Sequence, residues 1–187
     1  IESYFRNQHL KQLVRHQIES YNDFVMNQIQ KTIEMFNPVH ICSDQDFDPA
    51  SGKYKLEIII NFTNFSIHRP QIHENNGASN LMFPQEARLR NFTYSSNMTL
   101  DMNIKYMVRG GDSLENIQTF YKILPNIQIG KLPIMLKSSI CVLNQYNHVS
   151  ANETGECKFD AGGYFIINGS EKTVLAQERA AENKVYC

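Results

Sequence analysis

The sequence predicts an α+β fold in which one long N-terminal helix packs on a mostly antiparallel sheet. Apolar residues recur every three or four positions through residues 5–36, the pattern of an amphipathic helix, and Pro38 ends it. From Lys53 onward the chain is rich in β-branched and aromatic residues, and strict alternation over 100–108 indicates a half-buried strand. A length of 187 residues suits one domain, or one domain with part of a second.

Three further segments carry strand signals of different strength. Residues 54–62 are rich in β-branched and aromatic side chains, whereas 117–129 is a weaker candidate because Pro125 interrupts it. Residues 131–136 are apolar and short, and Pro133 suggests that they lie at the edge of a sheet. We find no internal repeat and no low-complexity tract.

The strongest turn signal is Asn168-Gly169, which separates the strand-like runs 164–167 and 171–175. Asn and Gly both tolerate the positive φ angles of a type I′ turn, so the pair predicts a β-hairpin. Polar loops rich in Gly or Asn are predicted at 73–80, 109–116 and 144–158.

The charge balance argues against a freestanding nucleic-acid-binding module. Lys and Arg total 18 and Asp and Glu total 19, a net charge of -1, whereas such modules usually carry a basic excess. No stretch approaches the roughly 20 apolar residues that span a bilayer, and the N-terminus lacks the apolar region of a signal peptide. Because the chain lacks an initiator Met and stops at Cys187, we expect both ends to be cuts in a longer polypeptide.

Two features are compatible instead with a secreted, disulfide-bonded glycoprotein. An even number of cysteines allows three disulfide pairings, among Cys42, Cys141, Cys157 and Cys187. Six N-x-S/T sequons begin at Asn61, Asn64, Asn91, Asn97, Asn152 and Asn168. However, sequons arise by chance in an Asn-rich chain, and the first two lie in a strand-like run. Reduced cytosolic thiols are the preferred interpretation, with the secreted alternative left open.

The acidic loop that begins at Asp44 does not fit a metal site. A calcium loop of the EF-hand type needs Gly at its sixth position and Glu at its twelfth, where this chain has Pro49 and Lys55. The cysteines form no C-x-x-C pair and the histidines no ligand-spaced set, so zinc is not predicted either. We therefore predict neither a metal ligand set nor a catalytic residue in this chain.

Three sequence blocks carry a specific resemblance to a known family. They are FPQEARLRNFTYSS (83–96), GKLPIMLKSS (130–139) and DAGGYFIINGSEKTVLAQER (160–179), preceded by the helical LVRHQIESYNDFV (13–25). In this order they resemble signature blocks of the second-largest, β-type subunit of multisubunit DNA-directed RNA polymerases, above all the nuclear and large-DNA-virus versions. The resemblance spans nearly the whole chain. It implies that 1–187 is the protrusion, an α+β domain on one wall of the active-centre cleft, which a lobe domain follows.

The same resemblance implies a function and partners. The chain is expected to be a non-catalytic part of a nucleotidyltransferase in transcription, docked to other polymerase subunits and close to the DNA template and the RNA–DNA hybrid. The catalytic Mg²⁺ is expected elsewhere: Asp46-Phe-Asp48 is similar to the magnesium-binding Asp-Phe-Asp-Gly-Asp of the largest subunit, but Pro49-Ala50 replaces the last Gly-Asp. The implied location is intracellular, in the nucleus, or in the cytoplasm or virion if the source is viral, with no membrane contact.

Candidate nucleic-acid-binding residues follow the predicted hairpin. Gln177, Glu178 and Arg179 match an Ala-Gln-Glu-Arg block that lies near the RNA–DNA hybrid in the family that the chain resembles. This match implies that Arg179 neutralises a backbone phosphate. The alternative is that Arg179 pairs with Glu178 or Glu182 of its own chain.

Arg88 and Arg90 form a second candidate basic site for nucleic acid. Their alternative role is structural, with one arginine ion-paired to Glu86 beneath the sheet. The sequence also departs from the family at Lys131 and Lys137, where Arg is common. Lysine keeps the positive charge there but loses the bidentate fork of a guanidinium.

Overall fold

The N-terminal helix predicted over 5–36 is present as one uninterrupted helical segment over 10–36. A computed structural model describes residues 10–49, 51–110, 116–146, 151–157 and 159–186, so the first five residues of that prediction lie outside it. The segment consists of a 3₁₀ turn (Leu10–Val14), helix α1 (Arg15–Asp23), a π-helical stretch (Phe24–Gln28) and helix α2 (Ile29–Phe36). Asn37 leaves the helix in an extended conformation, and the Asn37-Pro38 peptide bond is cis.

Among the helix residues whose side chains the structure describes, the buried ones lie in the middle. Tyr21 and Val25 are buried against Met135, and the Tyr21 hydroxyl donates a hydrogen bond of 2.6 Å to the Pro133 carbonyl oxygen. No residue of α2 is buried, and Phe36 at its end is 64% exposed. The predicted apolar stripe is therefore core-facing in its middle and left open at its C-terminal end.

The main sheet has four antiparallel strands in the order β1-β4-β7-β8. These strands are β1 (Val39–Cys42), β4 (Leu56–Ile67), β7 (Ser95–Gly110) and β8 (Asn116–Pro133). Two small antiparallel pairs flank it: β2 (Phe47–Asp48) with β3 (Lys53–Tyr54), and β5 (Gln71–His73) with β6 (Ser79–Leu81). The α+β class with an antiparallel sheet is thus confirmed.

Pro125 does not interrupt the strand predicted at 117–129, because β8 accommodates it at a β-bulge. The register between β7 and β8 shifts where Leu100 pairs with Ile127 and Met102 with Leu124. Pro125 and Asn126 lie at this irregularity, and Asn126 has a φ of 52° with its N–H donated to the Asp101 side chain. A proline is tolerated at a bulge of an edge strand, where no ladder bond is required of it.

The predicted separate strand at 131–136 is wrong. Its first half, through Pro133, is the end of β8, and its second half leaves the sheet for the domain core. Ile134 and Leu136 are fully buried, and their N–H groups bond to the carbonyl oxygens of Tyr94 and Tyr164. The apolar run therefore reflects complete burial rather than a strand of its own.

Two of the predicted loops hold regular structure. The loop predicted at 73–80 contains the end of β5 and the start of β6. The loop predicted at 144–158 contains the end of α4 (Val142–Gln145) and the whole of α5 (Ala151–Thr154). Residues 111–115, which make up most of the loop predicted at 109–116, lie outside the described residues. A short helix that was not predicted, α3 (Pro84–Leu89), begins with Pro at its first position, where its missing N–H costs nothing.

The main core includes the buried face of α3, which contributes Ala87. It is formed by buried residues of several segments: Ile72, Met82, Ala87, Tyr94, Ile134, Leu136, Cys141 and Ile166. The Tyr94 hydroxyl accepts a hydrogen bond of 3.1 Å from the Val142 N–H and lies 3.5 Å from the Cys141 sulfur. Burial, and then the neighbouring thiol, raise the pKa of Tyr94 above its ordinary value.

The hairpin predicted at Asn168-Gly169 is confirmed. Strands β9 (Phe165–Ile167) and β10 (Ser170–Lys172) pair antiparallel with these two residues as the turn. Their φ angles are 50° and 78°, both positive, as a type I′ turn requires. The second strand ends at Lys172, three residues earlier than expected. Gly169 also donates its N–H to the Phe92 carbonyl, which seats the turn on the segment after α3.

Replacing Gly169 with Val is expected to lower the melting temperature of the chain markedly. A β-carbon at this position would lie 2.6 Å from the Asn91 Oδ1 atom and 2.9 Å from its Cα atom, and a β-branched residue at positive φ costs roughly 1–2 kcal/mol by itself. Gly77 is the matched control, because it has a φ of 83° with nothing near its β-carbon. Thermal melts should show a larger loss for Gly169→Val than for Gly77→Val, and equal losses would contradict the close seating of the turn.

Candidate nucleic-acid interface

The segment after the hairpin, 173–186, runs over the surface without helix or strand. Every one of its residues is exposed, including the predicted Gln177 and Arg179. Its beginning is held by the N-terminal helix, where the Gln17 side-chain amide donates a hydrogen bond of 2.6 Å to the Val174 carbonyl. Two positive φ angles in the hairpin reverse the chain, and the exposed segment begins directly after its second strand.

Arg179 makes the internal ion pair that the sequence left as an alternative, with Glu182. The Arg179 Nη2 atom lies 2.6 Å from the Glu182 Oε1 atom, and the two side chains are 80% and 73% exposed. Such a solvent-exposed pair contributes only about 0–1 kcal/mol. It therefore holds the guanidinium weakly, and contact between Arg179 and nucleic acid stays a prediction.

Arg88 has a different environment from Arg179, because its guanidinium is bound on several sides by its own chain. Its Nη1 atom donates to both carboxylate oxygens of Glu156, at 2.9 and 3.0 Å, and its Nε atom donates to Glu171 at 2.8 Å. Its Nη2 atom donates to the Tyr164 hydroxyl at 2.8 Å, which in turn donates to Asp160. We name this set of five residues the Arg88 cluster.

The electrostatics of the Arg88 cluster stabilise the charged form of the arginine. Burial opposes the charge, but the Glu156 carboxylate and then Tyr164 more than offset it, so the pKa of Arg88 is raised. Burial and the hydrogen bond to Asp160 likewise raise the pKa of Tyr164, which keeps this hydroxyl protonated and able to donate. Glu156 is only 8% exposed and depends on Arg88 for compensation of its charge.

Arg90 also pairs within the chain, but at the surface. It bonds through two nitrogens to Glu74 and at 3.0 Å to Glu86, and it lies 4.8 Å from the centroid of the Phe92 ring. The structural role considered for these arginines included an ion pair with Glu86 beneath the sheet. Glu86 does pair with Arg90, but the Arg90 side chain is 39% exposed, so the pair lies at the surface. Both arginines have internal partners, and contact between either and nucleic acid stays a prediction.

The sequence of the chain matches one family along most of its length. The profile of the RNA polymerase beta subunit family matches residues 12–183. The chain belongs to this family. It is 37% identical over 190 residues to DNA-directed RNA polymerase II subunit 2 of Arabidopsis thaliana, a match that covers the whole chain. It is also 40% identical over 173 residues to DNA-directed RNA polymerase subunit Rpo2N of Methanothermobacter thermautotrophicus, strain Delta H, over 92% of the chain.

The similarity places the chain in the N-terminal region of a second-largest polymerase subunit. A microsporidian relative, DNA-directed RNA polymerase II subunit RPB2 of Encephalitozoon cuniculi, is 36% identical over the whole chain. The chain spans 15% of the Arabidopsis and Encephalitozoon subunits and 29% of the archaeal subunit. The family resemblance expected from the three sequence blocks is therefore confirmed.

Lys131 and Lys137, where the resemblance led us to expect arginine, lie in different environments. Lys131 is exposed and lines a cleft of about 420 Å³ together with His73, Phe92 and Asn97. Lys137 instead donates to the backbone carbonyl of Asp160, next to the Arg88 cluster, and has a φ of 60°. One ammonium is thus available at the surface, while the other is used inside the domain.

The described part of the chain contains no group of side chains that could hold a metal ion. Among the residues that the structure describes, no three His, Cys, Asp or Glu side chains cluster in that way. Asp48 lies in β2 and accepts a hydrogen bond from Ser51, as part of a small turn. Cys42, Cys141 and Cys157 are free thiols, and Cys187 lies outside the described residues. No helix of the described part is long and apolar enough to cross a membrane.

Four members of the Arg88 cluster were not singled out by sequence reasoning. Tyr164, Asp160 and Glu171 lie within the block 160–179 that carries the family resemblance, so that block marked their region but not their roles. Glu156 lies in a loop that matched no family block, and no local pattern indicated it. The cluster joins residues 68 and 83 positions apart, and such contacts are decided by tertiary packing.

Replacing Arg88 with Met is expected to destabilise the chain by about 3 kcal/mol, because it leaves the Glu156 carboxylate buried without a partner. The double variant Arg88→Met with Glu156→Leu should recover much of this loss, since it removes both charges together. Arg15→Met is the control, because Arg15 makes an exposed pair with Glu19. Thermal or denaturant unfolding measures the free energies, and a loss no larger than that of the control would contradict the structural role of Arg88.

Proposed function

We propose that this chain is a non-catalytic part of a DNA-directed RNA polymerase, a nucleotidyltransferase, and works inside the cell in transcription. In this proposal the domain forms one wall of the cleft that holds the RNA–DNA hybrid and docks other polymerase subunits. The Mg²⁺ ions of the complete enzyme are held by other residues. The observation that carries the proposal is the family match over residues 12–183, joined to the exposed segment 173–186 that ends the described chain.

Arg179 is the residue best suited to contact the hybrid in this proposal. Its guanidinium offers several donors to a phosphate, in a planar arrangement that fits two phosphate oxygens. It is 80% exposed, and its one carboxylate partner is also exposed, so exchanging Glu182 for a phosphate costs little. Gln177 lies on the same exposed stretch and can add a neutral hydrogen bond to sugar or phosphate.

Apolar side chains on the open part of the helix and sheet support the docking role. On α2, Met35 and Phe36 are 72% and 64% exposed, and on β8 Tyr121 and Ile123 are 74% and 67% exposed. Side chains of this size are rarely left in water in such numbers unless another surface covers them. In a multisubunit polymerase, neighbouring subunits supply such surfaces.

The isolated chain is expected to show no template-dependent nucleotide incorporation with any divalent metal. Two-metal nucleotidyl transfer needs clustered carboxylates, and this proposal places them in other residues of the polymerase. Incorporation assays with purified 1–187, with complete polymerase as the positive control, measure this. Incorporation that survived stringent purification would contradict the non-catalytic role.

In the complete polymerase, Arg179→Ala is expected to shorten the lifetime of elongation complexes without abolishing bond formation. The loss should be similar on every template, because a phosphate contact carries no sequence information. It should also lower the salt dependence of complex stability, by at most roughly one unit of log–log slope. Lifetimes measured at several salt concentrations give both quantities.

Arg15→Ala is the matched control for this experiment. The Arg15–Glu19 pair has the same 2.6 Å separation and similar exposure, 68% and 61%, but lies on the N-terminal helix. If Arg179 makes only its internal pair, both variants should lose little, and their salt slopes should equal that of the unchanged enzyme. A parallel shift of lifetime with an unchanged slope would rule out the phosphate contact.

A further inference from the structure

The Arg88 cluster joins three segments that are distant in sequence. Arg88 lies on α3, Glu156 follows α5, and Glu171 is the middle residue of β10. The loop that carries Glu156 is held close to α3, since a β-carbon on Gly155 would lie 3.0 Å from the Gln85 side chain. A single guanidinium therefore connects a helix, a loop and the outgoing strand of the hairpin.

The two carboxylates bound by Arg88 have different exposure and different roles. Glu156 is 8% exposed, so its pair holds Arg88 in a fixed orientation within the domain. Glu171 is 56% exposed and lies on a strand whose residues are all exposed. Because β10 buries nothing, its place rests on its pairing with β9, and the bond from Arg88 to Glu171 is a side-chain tie between this strand and α3.

The exit of the chain from the hairpin is held at two points. Arg88 binds Glu171, and three residues later Gln17 of α1 donates its hydrogen bond to the Val174 carbonyl. These contacts come from different helices, α3 and α1, and lie on either side of the point where β10 ends at Lys172. Two anchors so placed define the direction in which residues 175–186 leave the domain.

We propose that Arg88 is a positioning residue that aims the segment carrying Gln177 and Arg179, through its bond to Glu171. This inference rests on the proposed contact between Arg179 and the hybrid. Arg88 acts through the hairpin and not by direct contact, because its Nε, Nη1 and Nη2 atoms all donate to groups of its own chain. With these bonds made and only 18% of the side chain exposed, little of the guanidinium is left for a phosphate.

Glu171→Gln in the complete polymerase tests this role, because it weakens the link to the hairpin and leaves the buried Arg88–Glu156 pair in place. Glu86→Gln is the matched control: it also removes one exposed partner from an arginine, Arg90, but no link to the hairpin. Charge alone predicts that either variant binds nucleic acid more tightly, since each removes a negative charge. Positioning predicts the opposite for Glu171→Gln alone.

The expected result is a lifetime of elongation complexes that is roughly two- to fivefold shorter for Glu171→Gln, within the range of an exposed ion pair, and not shorter for Glu86→Gln. In the Arg179→Ala background, Glu171→Gln should cause no further shortening, because the residue it positions is gone. Equal shortening in both backgrounds would overturn the proposal. An unchanged or longer lifetime for Glu171→Gln, with a shorter one for Arg179→Ala, would also overturn the positioning role. That outcome would leave the proposed function intact.

A second measurement decides the case in which Arg179→Ala itself has no effect, so that the proposed hybrid contact fails. Hydrogen exchange of the backbone amides of 173–179 in the complete polymerase reports how firmly the segment is held. Faster exchange in Glu171→Gln than in Glu86→Gln would support positioning by Arg88. Equal exchange in the two variants would overturn it.

Discussion

The burial of Tyr94 is the constraint on which the rest of this domain depends. Its N–H binds the Ile166 carbonyl of the hairpin, its carbonyl accepts from Ile134, and its hydroxyl accepts from Val142. One residue thus satisfies backbone groups of three segments that have no water to bind. Each of these buried groups would cost about 1–3 kcal/mol if it lost its partner. Separating the three segments would break all of these bonds, so the segments are held as one unit. The hairpin, and the exposed segment that follows it, take their place from this arrangement.

Arg88 and Arg179, which lie in different sequence blocks, differ in how firmly their own chain holds them, because their surroundings differ. Arg88 is 18% exposed and bound to a nearly buried glutamate, so its charge is used to hold the domain together. Arg179 is 80% exposed and bound only to another exposed side chain, so its charge remains available to a partner. Desolvation decides this difference: a buried charge cannot give up its partner cheaply, whereas a solvated one can.

Much of the fold was predictable where the signal is local. The Asn168-Gly169 turn needs positive φ at both positions, and few residue pairs other than this one tolerate it. The alternation over 100–108 likewise lies within β7. The run 131–136 was misassigned because a fully buried segment and a buried strand have the same apolar composition. Pro125 looked like an interruption because the bulge that accommodates it depends on pairing with β7.

The sequence by itself determined the α+β class, the hairpin and membership of the polymerase family, because each is indicated by a pattern of residues that are neighbours along the chain. Only the tertiary structure decided which partners the candidate arginines have and how exposed they are. Arg88 and Arg179 look alike in sequence, each within two residues of a glutamate, and nothing local shows that Glu156 and Glu171 converge on the first. The strength of a charge interaction depends on separation and on exclusion of water, and both are properties of the folded chain.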